Sequence, residues 1–329
     1  MNILLKPLTI KNLIFQNRLI YPPVCIGKAK KDGRVSDALL SHYEEIRRGG
    51  YFSTIFIPDS FVLENGRTSL GQLSSASDDM IEGLSLLATT IKNNGTKALL
   101  QLNHAGSCTF EKFTGSIPVS PSEISNPRGG DSPRALETHE IRSLIHAFRD
   151  SALRGRMAGF DGVEIHSAHG YLLNQFYSPL TNKRDDEYGG TIANRIRIHI
   201  EIVRALREAL GDDFIISLRL GALDYMEGGS TLEDSIYAAK TLEDEGIDLL
   251  SVSGGLCGYT NPFNNSPGYF SRESKAIKAA VNIPIILTGG IENPGDIEAL
   301  LENEACDMVG VGRAIIKDPA WARRAITST

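Results

Sequence analysis

Residues 158–165, AGFDGVEI, carry a phrase that the chain uses three times. It returns at 245–252 as EGIDLLSV and at 303–311 as NEACDMVGV, where Ala305 stands in the glycine position. Each copy reads as a helix terminator, a short loop and an aspartate leading into a run of aliphatic residues. That is how a chain passes from a helix into a strand buried on both faces.

Working outward from these copies, short apolar runs recur at 18–24, 54–59, 97–106, 161–170, 214–221, 249–255, 283–290 and 307–313. Each is too short for an ordinary helix, and most are rich in Ile, Leu or Val. Helical patterns fill most of the gaps between them. Thr138 is placed to cap a helix whose Ile141, Leu144, Ile145, Phe148 and Ala152 share one face. Thr231, followed by Glu233 and Asp234, opens another, and Asn293-Pro294 a third, with proline where its missing N–H is not needed. Eight strand–helix units predict a (β/α)8 TIM barrel forming a single domain over 1–329. The competing topology, a doubly wound open sheet, usually carries a dinucleotide fingerprint after its first strand. Here the first strand leads into PPVCIGKAKKDG, which is no such fingerprint. Residues 6–17 read as a hairpin covering the barrel floor. Residues 107–137, rich in Ser, Pro and Gly, read as an excursion over the active face after strand 3.

The 329 residues are 41% hydrophobic and 22% charged, proportions that support a large folded core. A net charge of −6 without a dense Lys/Arg block argues against nucleic acid or an anionic membrane as partner. No run approaches the roughly 20 apolar residues of a membrane span, and the apolar start is too short for a secretory signal. Cys25, Cys108, Cys257 and Cys306 are widely spaced, with no CxxC. A disulfide framework is therefore not expected, and a reduced, cytoplasmic protein is.

Barrel enzymes place their chemistry at the carboxyl ends of the strands. Strand 1 delivers Pro22, Pro23, Val24 and Cys25, and strand 2 Asp59 and Ser60. Strand 3 delivers Gln101, Asn103 and His104, and strand 4 His166, His169 and Tyr171. Strand 5 gives Arg219. Gly289 and Gly290 follow strand 7, and Gly312 and Arg313 follow strand 8. Two glycine loops and an arginine at that location point to a phosphorylated cofactor or substrate, against the bland reading of glycines serving tight turns. Arg219, inside a buried strand, costs several kcal/mol unless a partner offsets it. Glu164 on the neighbouring strand is one candidate, and an anionic or electron-rich ligand over the mouth is the other. His166 and His169 allow three readings. First is a clamp of two neutral N–H donors gripping one substrate oxygen, with Tyr171 as proton donor. A metal site is second, with Glu164 or Asp59 as third ligand at no familiar spacing, and packing is third.

The stretch HSAHGYLLNQFYSPLTNKRDDEYGG (166–190), with PPVC (22–25), LLQLNHAG (99–106), SLRLG (217–221), TGGI (288–291) and GVGRAIIKDP (310–319), resembles the old yellow enzyme family of FMN-dependent ene-reductases. The resemblance covers essentially the whole chain. It is nearest to the bacterial branch and to the flavin barrel of 2,4-dienoyl-CoA reductases. It implies FMN as cofactor, NADH or NADPH as electron donor, and an activated alkene or enone as small-molecule substrate, in a ping-pong cycle. It further implies that Pro22, Pro23, Val24 and Cys25 line the flavin, with the Cys25 thiol tuning its potential. Gln101 would bond its pyrimidine side, and Arg219 would stabilise its anionic reduced form. Gly289, Gly290, Gly312 and Arg313 would hold its phosphate. Asp59 joins this cofactor-binding set. His166 and His169 would bind the substrate's electron-withdrawing oxygen, and Tyr171 would protonate the α-carbon.

Three departures stand out. Gly27 and Lys28 replace the tyrosine common shortly after the cysteine. An iron–sulfur cysteine cluster and a second flavin domain are missing, so electrons are expected directly from nicotinamide. The chain also ends soon after strand 8, so a tail reaching a partner's site in a homo-oligomer is not carried over. Two alternatives are kept: a flavin-dependent dehydrogenase or demethylase working oxidatively, and, in another class, a metal-dependent barrel hydrolase using His166 and His169.

Overall fold

A computed structural model describes residues 2–327. Eight parallel strands close into a barrel in sequence order: β1 (Leu19–Tyr21), β2 (Thr54–Phe61), β3 (Lys97–Asn103), β4 (Gly162–Ser167), β5 (Ile215–Leu223), β6 (Leu249–Gly254), β7 (Ile285–Thr288) and β8 (Met308–Gly310). The eighth closes on the first through Val309 opposite Leu19 and Gly310 opposite Ile20. The fold is therefore the (β/α)8 barrel expected, and each of the eight strands overlaps its apolar run, extending past it by two residues at most.

The thrice-used phrase has a structural function beyond ending helices. Asp161 Oδ2 accepts the Ala98 N–H at 2.9 Å, Asp248 Oδ2 that of Ile216 at 2.8 Å, and Asp307 Oδ2 that of Ile285 at 2.9 Å. Each aspartate thus fastens the start of the strand before its own. Each also pairs with a base near the end of a helix: Lys92 with Asp161, Arg207 with Asp248, Lys278 with Asp307. In the third copy the left-handed residue is Glu304 (φ 54°), one position ahead of the Ala305 expected there, whereas Gly159 and Gly246 hold it in the others. The same i→i−5 helix-ending bond, from Phe160, Ile247 and Ala305, closes all three.

Thr231 caps Leu232–Asp244 and Asn293 caps Pro294–Glu302, both in reciprocal capping boxes, with Asp234 and Asp296 respectively. The cap expected at Thr138 lies one residue earlier. Glu137 holds the extended cap conformation and exchanges bonds with Glu140, leaving Thr138 as the first helical residue.

The N-terminal hairpin forms from Leu8–Ile10 and Leu13–Phe15. Ile10 and Phe15 pack against Ile20, Phe56, Leu99, Ile215, Leu249, Ile286 and Met308, the interior residues at the strand starts. That apolar plug closes the floor and leaves the polar strand ends at the opposite mouth. The excursion after β3 carries a short helix, Glu111–Thr114, and a two-stranded ribbon pairing Val119–Ser120 with Arg134–Ala135. No helix among the described residues is long and apolar enough to cross a membrane.

Candidate active site

The mouth holds a cavity of about 680 Å³, within the range of small-molecule sites. All fourteen residues singled out as catalytic or cofactor-binding line it: Pro22, Pro23, Val24 and Cys25; Asp59 and Gln101; His166, His169 and Tyr171; Arg219; and Gly289, Gly290, Gly312 and Arg313. Strand register explains the centre. Arg219 stands opposite His166 on one side and Ser251 on the other.

His169 and Gly170 both adopt left-handed backbone, φ 61° and 74°. Such a turn persists only where its surroundings over-determine it. Here the Gly170 carbonyl accepts from Asn126 Nδ2 at 2.8 Å and Gln175 Nε2 at 2.7 Å, while its N–H donates to Asn174 Oδ1 at 2.8 Å. Asn126 belongs to the excursion, which therefore buttresses the histidine turn. The two imidazoles lie 4.9 Å apart between centroids at 81°, and the Tyr171 ring lies 5.1 Å from that of His166 at 89°.

The proton positions follow from the bonding. The Ala168 N–H donates to His166 Nδ1 at 3.2 Å, so the ring proton sits on Nε2. Ser253 Oγ lies 2.7 Å from His169 Nε2 and accepts from Arg219 at 3.3 Å; with the serine hydrogen assigned to the imidazole, the His169 proton is on Nδ1. Neither His166 Nε2 nor His169 Nδ1 has a hydrogen-bond partner among the described residues. Burial first, then Arg219, hold both imidazoles well below the ordinary histidine range, so they are neutral. Burial likewise holds the Tyr171 phenol well above its usual value, keeping it protonated.

Arg219 forms no ion pair within 4.0 Å of Glu164 among the described residues. Glu164 is satisfied instead by Gln101 Nε2 at 2.8 Å, Ser217 Oγ at 3.2 Å and Ser251 Oγ at 2.6 Å. Its charge still supports the guanidinium from beneath. Arg219 lines the cavity with Nη1 free of any hydrogen-bond partner among the described residues, a donor open to an acceptor there, while its Nε is buried without one. At the other end Arg313 donates to the Tyr269 hydroxyl at 3.1 Å, and Lys317 lines the wall one helical turn on. Gly290 has φ 66°, and a Cβ there would meet the Tyr269 ring at 2.7 Å; a Cβ on Gly312 would meet Val24 at 2.8 Å.

The residues present therefore fit FMN: an unpaired guanidinium nitrogen where a ring carbonyl can accept, and two cations with glycine loops where a phosphate can rest. Gln101 has Oε1 committed to the Asp59 N–H and one Nε2 hydrogen to Glu164, leaving its second hydrogen. No group of three His, Cys, Asp or Glu side chains among the described residues is arranged to hold a metal ion, so the two histidines lack a third ligand. His104, also at a strand end, is bonded at both ring nitrogens, to Asn65 and Gly106, and does not line the cavity.

Sequence reasoning missed Tyr269, Arg128, Lys317 and Trp321. The first two come from long loops, which carry no periodic pattern to read. Lys317 had a readable signal, its i, i+4 spacing from Arg313 on one helix face.

The model of the NADH:flavin oxidoreductase / NADH oxidase family matches residues 3–328. The chain belongs to that family. An NADH oxidase of Thermoanaerobacter brockii is 38% identical over 321 residues, covering 96% of this chain and 49% of its own. An NADPH dehydrogenase of Clostridium acetobutylicum is 37% identical over 311 residues, covering 94% and 91%. The solved old yellow enzyme homologue from Zymomonas mobilis superposes with a TM-score of 0.85 at 27% identity, over 98% of this chain and 91% of that one. The chain spans about half the length of the first of these relatives and nearly all of the other two.

Proposed function

We propose that residues 1–329 form one FMN-binding unit that uses NADH or NADPH to reduce electron-poor C=C bonds. The observation that carries the reading is the pair of unpaired, neutral imidazole nitrogens over a cavity whose floor presents an unpaired arginine nitrogen. Bound FMN would supply electron transfer between the nicotinamide and the alkene. Arg219 and Gln101 would orient its ring. Gly289, Gly290, Gly312, Arg313 and Lys317 would hold its phosphate.

His166 and His169 bind the carbonyl, nitro or phenolate oxygen of the second ligand and draw electron density from its β-carbon. They do so without charging, because burial and Arg219 oppose a second positive charge. Tyr171, beside His166, delivers the proton to the α-carbon; its raised pKa ensures the proton is present at working pH. Tyr259, whose ring lies 6.2 Å from His169, and Arg128 above it form the rim that admits the substrate.

The visible spectrum of the purified protein, with and without p-hydroxybenzaldehyde, tests this. A yellow protein that develops a long-wavelength charge-transfer band supports both cofactor and clamp. A colourless protein that ignores added FMN overturns the reading. Turnover of 2-cyclohexenone with NADPH, set against oxidation of methylated amines, separates reduction from the oxidative alternative.

A further inference from the structure

Asp59 lines the cavity but is only 6% exposed, and no cation acts on it. Gln72 Nε2 lies 3.1 Å from Oδ2, and the Cys25 thiol donates to the carboxylate. The titratable groups around it are Cys25 after β1, Tyr43 from the helix Asp37–Arg47, and Tyr171 after β4, all of them acids that are neutral near pH 7. On the β3 side stands neutral Gln101, with Glu164 behind it and Arg219 supported by that Glu164. A desolvated carboxyl with only neutral donors favours its protonated form. Burial accordingly pushes Asp59 up to about 7, and the Asp59 charge, with burial, pushes the Cys25 thiol up to about 12. The mechanism above uses no group of this kind.

We propose that Asp59 is a redox-linked proton-binding residue at the cofactor cavity, taking up a proton as negative charge builds on the bound ring and releasing it as that charge leaves. This rests on the FMN reading above. The dihydronicotinamide passes two electrons and one proton to the ring and departs as its oxidised cation, so the site gains one negative charge. A solvent proton on the Asp59 carboxylate offsets it, forming one O–H bond. When the alkene takes the electrons, that O–H bond breaks and the proton returns to water. Below pH 7 the carboxyl is already neutral and no uptake occurs. Above pH 7 uptake couples to reduction.

The test is the midpoint potential of the FMN-loaded protein from pH 5.5 to 9, followed by the visible spectrum in a redox titration. Asp59→Asn should run parallel to the wild type below pH 7. Above it, the wild type should fall more steeply, by a further tenfold in the reduction equilibrium per pH unit, about 30 mV for a two-electron couple. Cys25→Ala removes a donor to the carboxylate, so the break should move to higher pH. Parallel lines for the wild type and Asp59→Asn over the whole range overturn the proposal. If Asp59→Asn does not hold FMN, an unmoved break in Cys25→Ala overturns it. A wild type that binds no FMN fails at the earlier reading and takes this inference with it.

Discussion

Ser253 Oγ stands 2.7 Å from His169 Nε2, and this bond decides which nitrogen of His169 faces a ligand with a proton. Without the hydroxyl, His169 can take either tautomer and Arg219 loses its one hydrogen-bond acceptor among the described residues. Ser253→Ala should weaken binding of p-hydroxybenzaldehyde five- to tenfold, about 1 kcal/mol, while FMN stays bound. The charge-transfer titration reads this directly. An unchanged dissociation constant would mean that the tautomer is set elsewhere.

Replacing both imidazoles goes further. The His166→Ala, His169→Ala double variant should lose phenol binding by two orders of magnitude or more and still retain the cofactor, because neither ring is needed for the phosphate or Arg219 contacts. Unaltered phenol affinity would remove the clamp assignment.

The same histidines make a pH statement. Both are held well below the usual range by burial and by Arg219, so lowering the pH from 6.5 to 5 should not charge them. An imidazole with an ordinary pKa of about 6.5 would become mostly cationic over that interval. Affinity for the uncharged ligand 2-cyclohexenone, measured by competition, should therefore stay flat across it. A tenfold change would show that at least one ring titrates normally.

The glycine loops admit a controlled comparison. Gly290→Ala places a side chain on left-handed backbone, costing about 1–2 kcal/mol, and drives its Cβ into the Tyr269 ring. FMN affinity, read by fluorescence quenching, should fall at least tenfold. Gly295→Ala is the control, since a Cβ there meets nothing within 4 Å and the residue lies in a helix. Equal losses in both variants would point to general instability rather than to the loop.

What was legible in the sequence follows a physical division. Strands, helix caps and strand-end chemistry are local or periodic, so the sequence alone places Arg219, His166, His169 and Gly312-Arg313 at one mouth. It does not place Tyr269, because that residue's contact with Arg313 depends on how a long loop folds back over β7. The Glu137 cap was missed because Thr138 is the better capping residue in isolation. The bidentate contact of Arg134 with Glu140, which supports the observed capping box, involves a residue outside the helix. The sequence leaves Glu164 as one of two partners open to Arg219, beside a ligand over the mouth. Gln101 and Ser217 on the two flanking strands and Ser251 one strand further satisfy Glu164 instead, and only strand register reveals them.

The aspartates of the repeated phrase show the same limit and supply a test of the fold itself. Their position after a helix end was readable, but their bond to the preceding strand is nonlocal. Asp248 accepts the Ile216 N–H and pairs with Arg207 at 2.7 Å and Lys11 of the floor hairpin at 3.0 Å. Asp248→Ala orphans a buried strand donor and two cations, so it should destabilise the protein by about 3 kcal/mol. Asp248→Asn keeps an oxygen for Ile216 and loses only the ionic part, so its loss should be about 1 kcal/mol. Urea unfolding midpoints at constant slope separate the two. If alanine and asparagine cost the same, the aspartate acts through its charge, and the strand-fastening bond contributes nothing measurable.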